Sequence, residues 1–353
     1  MEQFLTKIKG RGSTENPANR FEKIEYIPVE TDKEDESEKI PKTVFYKDNT
    51  RTIISYNDSP DVGFNASINP YRGCEHGCIY CYARPTHEYL GLSAGLDFET
   101  KIFIKEDAPE LLRREFSSPR WHPRPVAISG VTDPYQPAES HFCLTRACLK
   151  VFEEFRNPVG IVTKNQLVTR DIDILKVLAE HSAAMVAVSI TTLDPKLARV
   201  MEPRASQPDL RLKTIRKLAE NDIPVIVMVA PVIPGLTDHE IPGIIEKAVD
   251  AGAMQAGYVV LRLPYGVADL FQHWLDQHLS GKKSKILNRI RAMRDDKLNS
   301  SKYHERMHGD GIFADQIEKL FEVSCRKAGI GRNKIHLSSE SFRRPNDTQL
   351  TLF

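Results

Sequence analysis

The sequence predicts an α/β fold, a partial (β/α)6 TIM-like barrel with an N-terminal extension and a C-terminal helical region. Six short apolar, β-branched runs alternate with segments whose apolar residues recur at helical spacing. Strands that are apolar on both faces are typical of parallel sheets covered by helices. A chain of 353 residues with 41% hydrophobic side chains can also bury one barrel-sized core and its appendages.

The predicted strands come in six strand–helix units. They are NASIN from residue 65, VAISG from residue 126, VGIVT from residue 159, MVAVSI from residue 185, PVIVMVA from residue 224 and YVVLR from residue 258. The segments between them carry apolar stripes at i, i+3 and i+4. Two such stripes are Leu144, Cys148, Val151, Phe152 and Phe155, and Ile241, Ile244, Ile245, Ala248 and Val249. Six such units favour a parallel sheet closed or half-closed into a barrel, with its chemistry beyond the C-terminal ends of the strands.

These elements divide the chain into four regions. Residues 1–65 are predicted to be an extension, partly disordered, since GRGSTENPANR is rich in turn formers and ETDKEDESEK carries six acidic residues. Residues 66–265 are the barrel, and residues 266–345 are a mainly helical, polar region. Residues 346–353 are expected to be a flexible tail.

Charge and composition exclude several classes of protein. The net charge of +1 argues against a globally basic nucleic-acid binder, so any basic surface must be local. There is no apolar run long enough to span a bilayer, and MEQFLTKIKGRG lacks the apolar core of a secretion signal. We therefore expect a cytoplasmic protein. In that reducing compartment the six cysteines are not expected to form disulfides, and three of them within eight positions indicate metal.

The three clustered cysteines have the spacing C-x3-C-x2-C, in the run NPYRGCEHGCIYCYARPTHEY beyond the first predicted strand. Thiolates suit zinc or iron–sulfur clusters. Zinc needs a fourth ligand, which His76 or His87 could supply. A 4Fe–4S cluster on three cysteines instead leaves one iron free to polarise a small molecule, and we favour it. The remaining cysteines, Cys143, Cys148 and Cys325, are expected to pack in the core.

These residues resemble the radical S-adenosylmethionine superfamily, through the motif Cys74, Cys78 and Cys81 with Tyr80 at the aromatic position, after the first strand of a six-unit array. The resemblance implies that the three cysteines hold a 4Fe–4S cluster whose free iron chelates the amino and carboxylate groups of S-adenosylmethionine. It further implies a reductive cleavage to methionine and a 5′-deoxyadenosyl radical that abstracts a substrate hydrogen.

Within the superfamily the chain is similar to the spore photoproduct lyase-like (DNA repair photolyase-like) branch over roughly residues 65–265. The similarity rests on SGVTDPYQPAE, VTKN, SITT, EPRAS and APVIPGLTD, which follow successive strands. It implies that Thr132, Lys164, Ser189 and Ala230 contact S-adenosylmethionine, with Lys164 pairing with its carboxylate.

The same resemblance implies catalytic roles for Tyr80 and Tyr82. Tyrosines at matching positions in the branch lie on a hydrogen-transfer route that includes a cysteine beyond the second strand, where this chain has Gly130. Alternatively, Tyr80 supports the adenine ring from one face, and Tyr82 has only a packing role. Asp133 and Glu139 are weaker candidates that either orient a ligand or are solvated loop carboxylates.

Two further features hint at DNA. QLTLF, residues 349–353, resembles the pentapeptide by which bacterial repair proteins dock on the β sliding clamp, unless it folds back onto the helical region. The stretch from Gly281 to Arg306 holds nine Lys/Arg against three Asp/Glu, which could neutralise phosphates or be a solvated helix.

We therefore predict a lyase-like radical enzyme acting on nucleobases in damaged DNA, with a reducing electron donor such as flavodoxin or ferredoxin as partner. The alternatives are modification of RNA, a peptide or a metabolite. From another class, the alternative is a non-catalytic iron–sulfur protein recruited to the clamp.

Overall fold

A computed structural model describes residues 8–22, 41–330 and 335–345. The strands are β1 (Val44–Lys47), β2 (Ile54–Tyr56), β3 (Ala66–Ile68), β4 (Tyr71–Arg72), β5 (Lys101–Ile104), β6 (Val126–Ile128), β7 (Val159–Thr163), β8 (Ala184–Ser189), β9 (Val225–Val232) and β10 (Gln255–Val260). The α-helices are α1 (Leu96–Thr100), α2 (Ala108–Ser117), α3 (Glu139–Phe142), α4 (Leu144–Phe155), α5 (Ile172–Glu180), α6 (Pro195–Met201), α7 (Pro208–Ala219), α8 (Ile241–Asp250), α9 (Val267–Ala292), α10 (Glu305–His308) and α11 (Ile312–Lys327). Short 3₁₀ helices span Arg84–Leu90, Gln166–Asp171 and Asp238–Glu240.

The main sheet has seven strands in the order β10-β9-β8-β7-β6-β3-β2. Strands β3 and β6 to β10 are parallel, and β2 is antiparallel to β3. The six parallel strands coincide with the six predicted runs, so the predicted partial barrel is confirmed. The sheet ends at β2 on one side and β10 on the other, which leaves the barrel open between them.

The helices that connect the strands pack against the sheet because their apolar stripes face it. Helices α5, α7 and α8 contact β8 and β9, α4 packs between α2 and α5, and α11 packs on α8. Cys148 on α4 is fully buried in this core, and Cys325 on α11 is half-buried against it, as predicted. The prediction for Cys143 is wrong: it is exposed at the junction of α3 and α4, where its left-handed backbone (φ 53°) separates the two helices.

A smaller sheet, in the order β1-β5-β4, lies beside the cysteine loop. Its strand β1 and the strand β2 of the main sheet both come from the predicted N-terminal extension, whose composition did not indicate them. Residues 11–13 of the extension are buried. The acidic run at residues 30–39 and the tail at residues 346–353 lie outside the described residues.

The C-terminal region is mainly helical, as predicted. Helix α9 contains a break at Leu279 (φ −145°, ψ 40°), and its first half packs Phe271 and Trp274 against Ile79 and Tyr80 of the cysteine loop. The second half carries part of the basic stretch. Among the described residues no helix is both long and apolar enough to cross a membrane.

Candidate active site

The cysteine loop leaves β4 and turns at two glycines with left-handed backbone, Gly73 (φ 79°) and Gly77 (φ 65°). A Cβ atom on Gly77 would lie 2.6 Å from Glu99 Oε2, so both the conformation and the space favour glycine there. The Cys74 amide donates to the Phe98 carbonyl at 2.9 Å, and the Cys81 amide to the Cys78 carbonyl at 3.1 Å. The loop backbone is therefore fixed by its own turns and by α1.

The three thiols of this loop are free and lie close together. Cys74 and Cys78 are buried and Cys81 is half-buried. Burial raises the pKa of all three thiols, and the charges of Cys78 and Cys81 raise the pKa of Cys74 further. Thiols in such a place become thiolates when a metal cation replaces the proton. The donor set therefore fits a metal cluster bound by cysteines.

The two histidines of the zinc alternative have other partners. His76 Nδ1 lies 3.4 Å from Asp133 Oδ2, and His76 Nε2 lies 3.1 Å from Asn165 Nδ2. His87 Nε2 is 2.8 Å from the Lys101 carbonyl. Within the described parts of the chain, no three His, Cys, Asp or Glu side chains converge as ligands of a single ion would. Nδ1 of His87 has no partner among the described residues, so His76 is the histidine whose two ring nitrogens are both engaged.

A buried carboxylate, Glu202, organises the polar groups next to the loop. It is 1% exposed, and it accepts hydrogen bonds from Tyr80 Oη, from Arg211 Nη2 and, at 2.7 Å, from Thr191 Oγ1. Lys164 Nζ lies 3.2 Å from the same carboxylate. Glu202 belongs to the EPRAS run, but the sequence did not indicate its role, because its partners come from four separate segments.

Lys164 lies beside the cysteine loop, directly beyond β7. Its Nζ donates to Thr191 Oγ1 at 3.1 Å and to the Ala230 carbonyl at 2.9 Å. Burial, and then the charge of Arg211, lower the pKa of Lys164 to about 7. Lys164 is thus a desolvated amine with hydrogen bonds to Thr191 and Ala230, and a bound carboxylate could compete for them and favour its charged form.

The other predicted S-adenosylmethionine contacts lie at neighbouring strand ends. Thr132, after β6, is buried and donates from Oγ1 to the Tyr71 carbonyl at 3.1 Å. Ser189 ends β8, and its carbonyl accepts from Arg211 Nη1 at 3.0 Å. Ala230 lies in β9 and offers its carbonyl to Lys164. The structure therefore brings Lys164 and Ala230 together and places Thr132 and Ser189 along the same edge of the sheet.

The two predicted catalytic tyrosines have different surroundings. Tyr80 is buried, with its hydroxyl on Glu202 and 3.1 Å from Thr191 Oγ1. Tyr82 is 48% exposed, and its hydroxyl donates to the Gly130 carbonyl at 2.6 Å. Tyr82 therefore touches the very position at which the resemblance expects a cysteine, while Tyr80 holds the Glu202 carboxylate.

Glu139 is fully buried and the side chain of Asp133 is only 11% exposed, so the alternative of solvated loop carboxylates is wrong for both. Asp133 accepts from Thr163 Oγ1 and from the Lys164 amide, both at 2.7 Å. Burial opposes ionisation of Asp133, but His76 and these donors hold its pKa below the usual value. Glu139 accepts from Tyr71 Oη at 2.5 Å. Both carboxylates brace the loop after β6 from within the protein.

Residues 11–13 of the N-terminal extension cover the cysteine loop, which the sequence did not indicate. Glu99 is fully buried and accepts from the amides of Gly12 at 3.0 Å and Ser13 at 2.9 Å. Arg84, also fully buried, donates to Glu99 Oε1 at 2.5 Å and to the Cys78 carbonyl at 3.0 Å. Residues 11–13 therefore form a cover, held by the Arg84–Glu99 ion pair, over the turn at Gly77.

The chain matches the sequence model of a protein family and is similar to several curated proteins. Residues 68–248, which include the cysteine loop and the parallel strands β6 to β9, match the sequence model described as the radical SAM superfamily. An uncharacterized protein of Mycobacterium tuberculosis is 36% identical over 214 residues, which are 60% of this chain and 63% of that protein. An uncharacterized protein of Methanocaldococcus jannaschii is 31% identical over 173 residues, 49% of this chain and 62% of that protein. The match thus spans less than two thirds of either relative.

Among solved structures, the fold is similar to that of a spore photoproduct lyase variant with bound AdoMet and dinucleoside spore photoproduct. The TM-score is 0.54 at 16% identity, covering 81% of this chain and 78% of that chain. A second structure, the lyase complexed with the dinucleoside photoproduct, gives a TM-score of 0.53. These likenesses establish the shared fold.

Proposed function

Because the chain belongs to the radical SAM superfamily of enzymes, we propose that it cleaves S-adenosylmethionine reductively at a 4Fe–4S cluster held by Cys74, Cys78 and Cys81. The observation that carries the proposal is the set of three free thiols, two buried and one half-buried, on one loop beside the C-terminal ends of the parallel strands. The cofactors, when bound, supply electron transfer and a 5′-deoxyadenosyl radical. The chain supplies position, charge and exclusion of water.

The side chains around the loop suit this task. Lys164 is the desolvated cation for the methionyl carboxylate, and Glu202 with Arg211 fixes its surroundings. Thr132, Ser189 and Ala230 border the space in which S-adenosylmethionine would lie. Tyr80 and the cover at residues 11–13 shield the loop from solvent, which protects a reactive radical from side reactions.

For the substrate we propose a nucleobase in damaged DNA. The support is that a solved structure of similar fold is a lyase with a bound dinucleoside photoproduct. Gly130 supplies no thiol beside Tyr82, so the reaction on the base is expected to use a different hydrogen donor. Modification of RNA, a peptide or a metabolite is the alternative. Docking on the β sliding clamp through Gln349–Phe353 is a separate proposal that rests on the sequence motif alone.

The test is an anaerobic assay of 5′-deoxyadenosine. The protein is reconstituted with iron and sulfide, reduced with dithionite and supplied with S-adenosylmethionine, with and without ultraviolet-irradiated DNA. We expect product that rises with irradiated DNA and is lost in Cys78→Ala. The matched control is Cys143→Ala, because Cys143 is an exposed cysteine outside the loop and its removal should leave cluster and product intact.

The other outcomes separate the alternatives. Product that does not respond to DNA keeps the chemistry and rejects the DNA substrate. An intact cluster that yields no product in the wild-type protein rejects the enzyme and favours the non-catalytic iron–sulfur protein.

A further inference from the structure

Two arginines near the barrel mouth have N–H groups without partners in the described part of the chain. Arg294, after α9, is only 3% exposed; its Nη2 donates to the carbonyls of Leu261 at 2.8 Å and Arg306 at 3.3 Å. Its Nε and Nη1 have no partner, and neither has Nε of the half-buried Arg262. Arg262 Nη1 meets only the thioether sulfur of Met307, a weak acceptor, at 3.3 Å. We call Arg262 and Arg294 the arginine pair.

The arginine pair also lacks a counterion. Among the ion pairs of the described residues, none involves Arg262 or Arg294. The nearby carboxylate, Asp61, accepts from Arg306 Nε at 2.5 Å and from the His304 amide at 2.7 Å. Burial lowers the pKa of Arg262 and lowers that of Arg294 to about 10, and the charge of Arg262 adds to the effect on Arg294. A buried cation beside a half-buried one, with unused donors on both, is unfavourable unless an anion completes them.

The position of the pair points to the substrate rather than to the cofactor. Arg262 follows β10, and its guanidinium carbon lies 5.0 Å from the centroid of the Tyr82 ring. The Tyr82 hydroxyl in turn reaches the Gly130 carbonyl after β6. Arg262 therefore lies at the mouth of the barrel beside an exposed aromatic ring, with the more deeply buried Arg294 next to it. The planar fork of arginine matches phosphate oxygens, and an aromatic ring beside such a cation is a stacking surface for a base.

We propose that the arginine pair binds a backbone phosphodiester of a nucleic-acid substrate and thereby sets the neighbouring base on Tyr82. The inference deepens the proposed function and rests on it. The shared chemistry is that of DNA and RNA backbones, since both carry the phosphodiester that the arginine fork matches. Arg294 itself belongs to the basic stretch from Gly281 to Arg306, which holds nine Lys/Arg against three Asp/Glu.

The test measures binding of fluorescein-labelled single-stranded DNA to the reconstituted protein by anisotropy, over a series of KCl concentrations. Arg262→Gln should weaken binding by about tenfold and reduce the slope of log K against log[KCl] by about 1. Arg262→Lys should keep the slope and still bind less tightly, because it retains the charge but loses the fork. Lys213→Gln, which removes an exposed lysine from α7, is the matched control and should change neither quantity.

Melting curves of each variant identify a folding defect. Arg262 makes no strong internal hydrogen bond and its charge is unfavourable to Arg294, so Arg262→Gln should melt at or above the wild-type temperature. An oligonucleotide built of abasic sites, and an RNA of the same sequence, are titrated in parallel. If Arg262→Gln loses as much affinity for abasic DNA as for ordinary DNA, or loses affinity for RNA instead of DNA, the phosphodiester site is supported. The comparison also shows which nucleic acid supplies the phosphodiester.

Wild-type affinity and slope in Arg262→Gln would overturn the proposal, as would a loss confined to DNA that carries bases. The two proposals fail separately. If 5′-deoxyadenosine forms but Arg262→Gln binds normally, only the phosphodiester site is rejected. If binding depends on Arg262 but no 5′-deoxyadenosine forms, only the radical chemistry is rejected.

Discussion

His87 is a fully buried histidine that the structure keeps neutral. Its ring packs edge-on against Phe98 and Phe103, at centroid distances of 5.3 and 6.0 Å. Nε2 lies by the Lys101 carbonyl, while Nδ1 has no partner among the described residues. Burial lowers the pKa of His87 from 6.5 to about 4. This histidine therefore contributes to the packing beside the cysteine loop only in its neutral form.

The neutral state of His87 predicts how stability depends on pH. Between pH 6.5 and about 4 the unfolded chain binds a proton at His87 that the folded protein does not, so stability falls as pH falls through this window. The loss is about 1.4 kcal/mol per pH unit. His87→Gln, which cannot titrate, should remove that share of the slope. Chemical denaturation of both proteins at several pH values measures it.

Comparing the two proteins cancels the contributions of the other titrating groups. Identical pH slopes in wild type and His87→Gln would show that His87 is protonated in the folded protein, contrary to the effect of its burial.

At the scale of elements, the cover at residues 11–13 and the cysteine loop meet at two glycines. A Cβ atom on Gly12 would lie 1.7 Å from the Gly77 carbonyl oxygen, a distance that no small adjustment relieves. Gly12→Ala should therefore push the cover off the loop and expose Glu99. We expect a loss of about 1–3 kcal/mol in stability, as for overpacked sites, and a lower iron and sulfide content after reconstitution.

Gly281→Ala is the control, since Gly281 is an exposed position of helix α9 and a Cβ atom there would have nothing within 4 Å. It should bind wild-type amounts of iron and sulfide. If Gly12→Ala also binds wild-type amounts of iron and sulfide and melts at the wild-type temperature, the cover does not support the loop.

The elements that could be predicted from sequence are those whose signal is local. Strands β7 and β8 are short, mainly apolar runs that contain β-branched residues, and Cys74, Cys78 and Cys81 lie within eight residues of one another. The cover could not be predicted, because Gly12 meets a carboxylate 87 residues away and nothing near Gly12 marks it as buried. The prediction for Cys143 failed for a related reason. Cys143 lies next to the apolar stripe of α4, but its own left-handed backbone separates it from that helix.

The same limit holds for the site. Lys164 could be placed because it directly follows a predicted strand. Glu202 could not be placed, since its partners Tyr80, Thr191 and Arg211 lie on separate segments of the chain. The arginine pair could not be placed either, because the sequence does not show that no carboxylate pairs with Arg262 or Arg294 in the described structure.

At the scale of the whole molecule, an open barrel has to keep its two edges in place. The loop after β2 and the segment before α11 come together across the opening, where Asp61 accepts from Arg306 and from the His304 amide. Ser59 Oγ accepts from Arg306 as well. Helix α10 packs on β10 and Met307 touches Arg262, so this contact connects the β2 edge to the proposed phosphodiester site.

Asp61→Asn tests whether this contact holds the edges together. The amide cannot balance the Arg306 charge, so residues 57–64 and 303–308 should exchange their amide hydrogens faster, while the parallel strands remain protected. Hydrogen–deuterium exchange followed by mass spectrometry measures both. Asp295→Asn is the control, because Asp295 pairs with Lys302 on the exposed surface of the same region and contributes little there. Unchanged exchange in Asp61→Asn would mean that the sheet and α9 alone hold the opening, and the position of Arg262 would then not depend on the β2 edge.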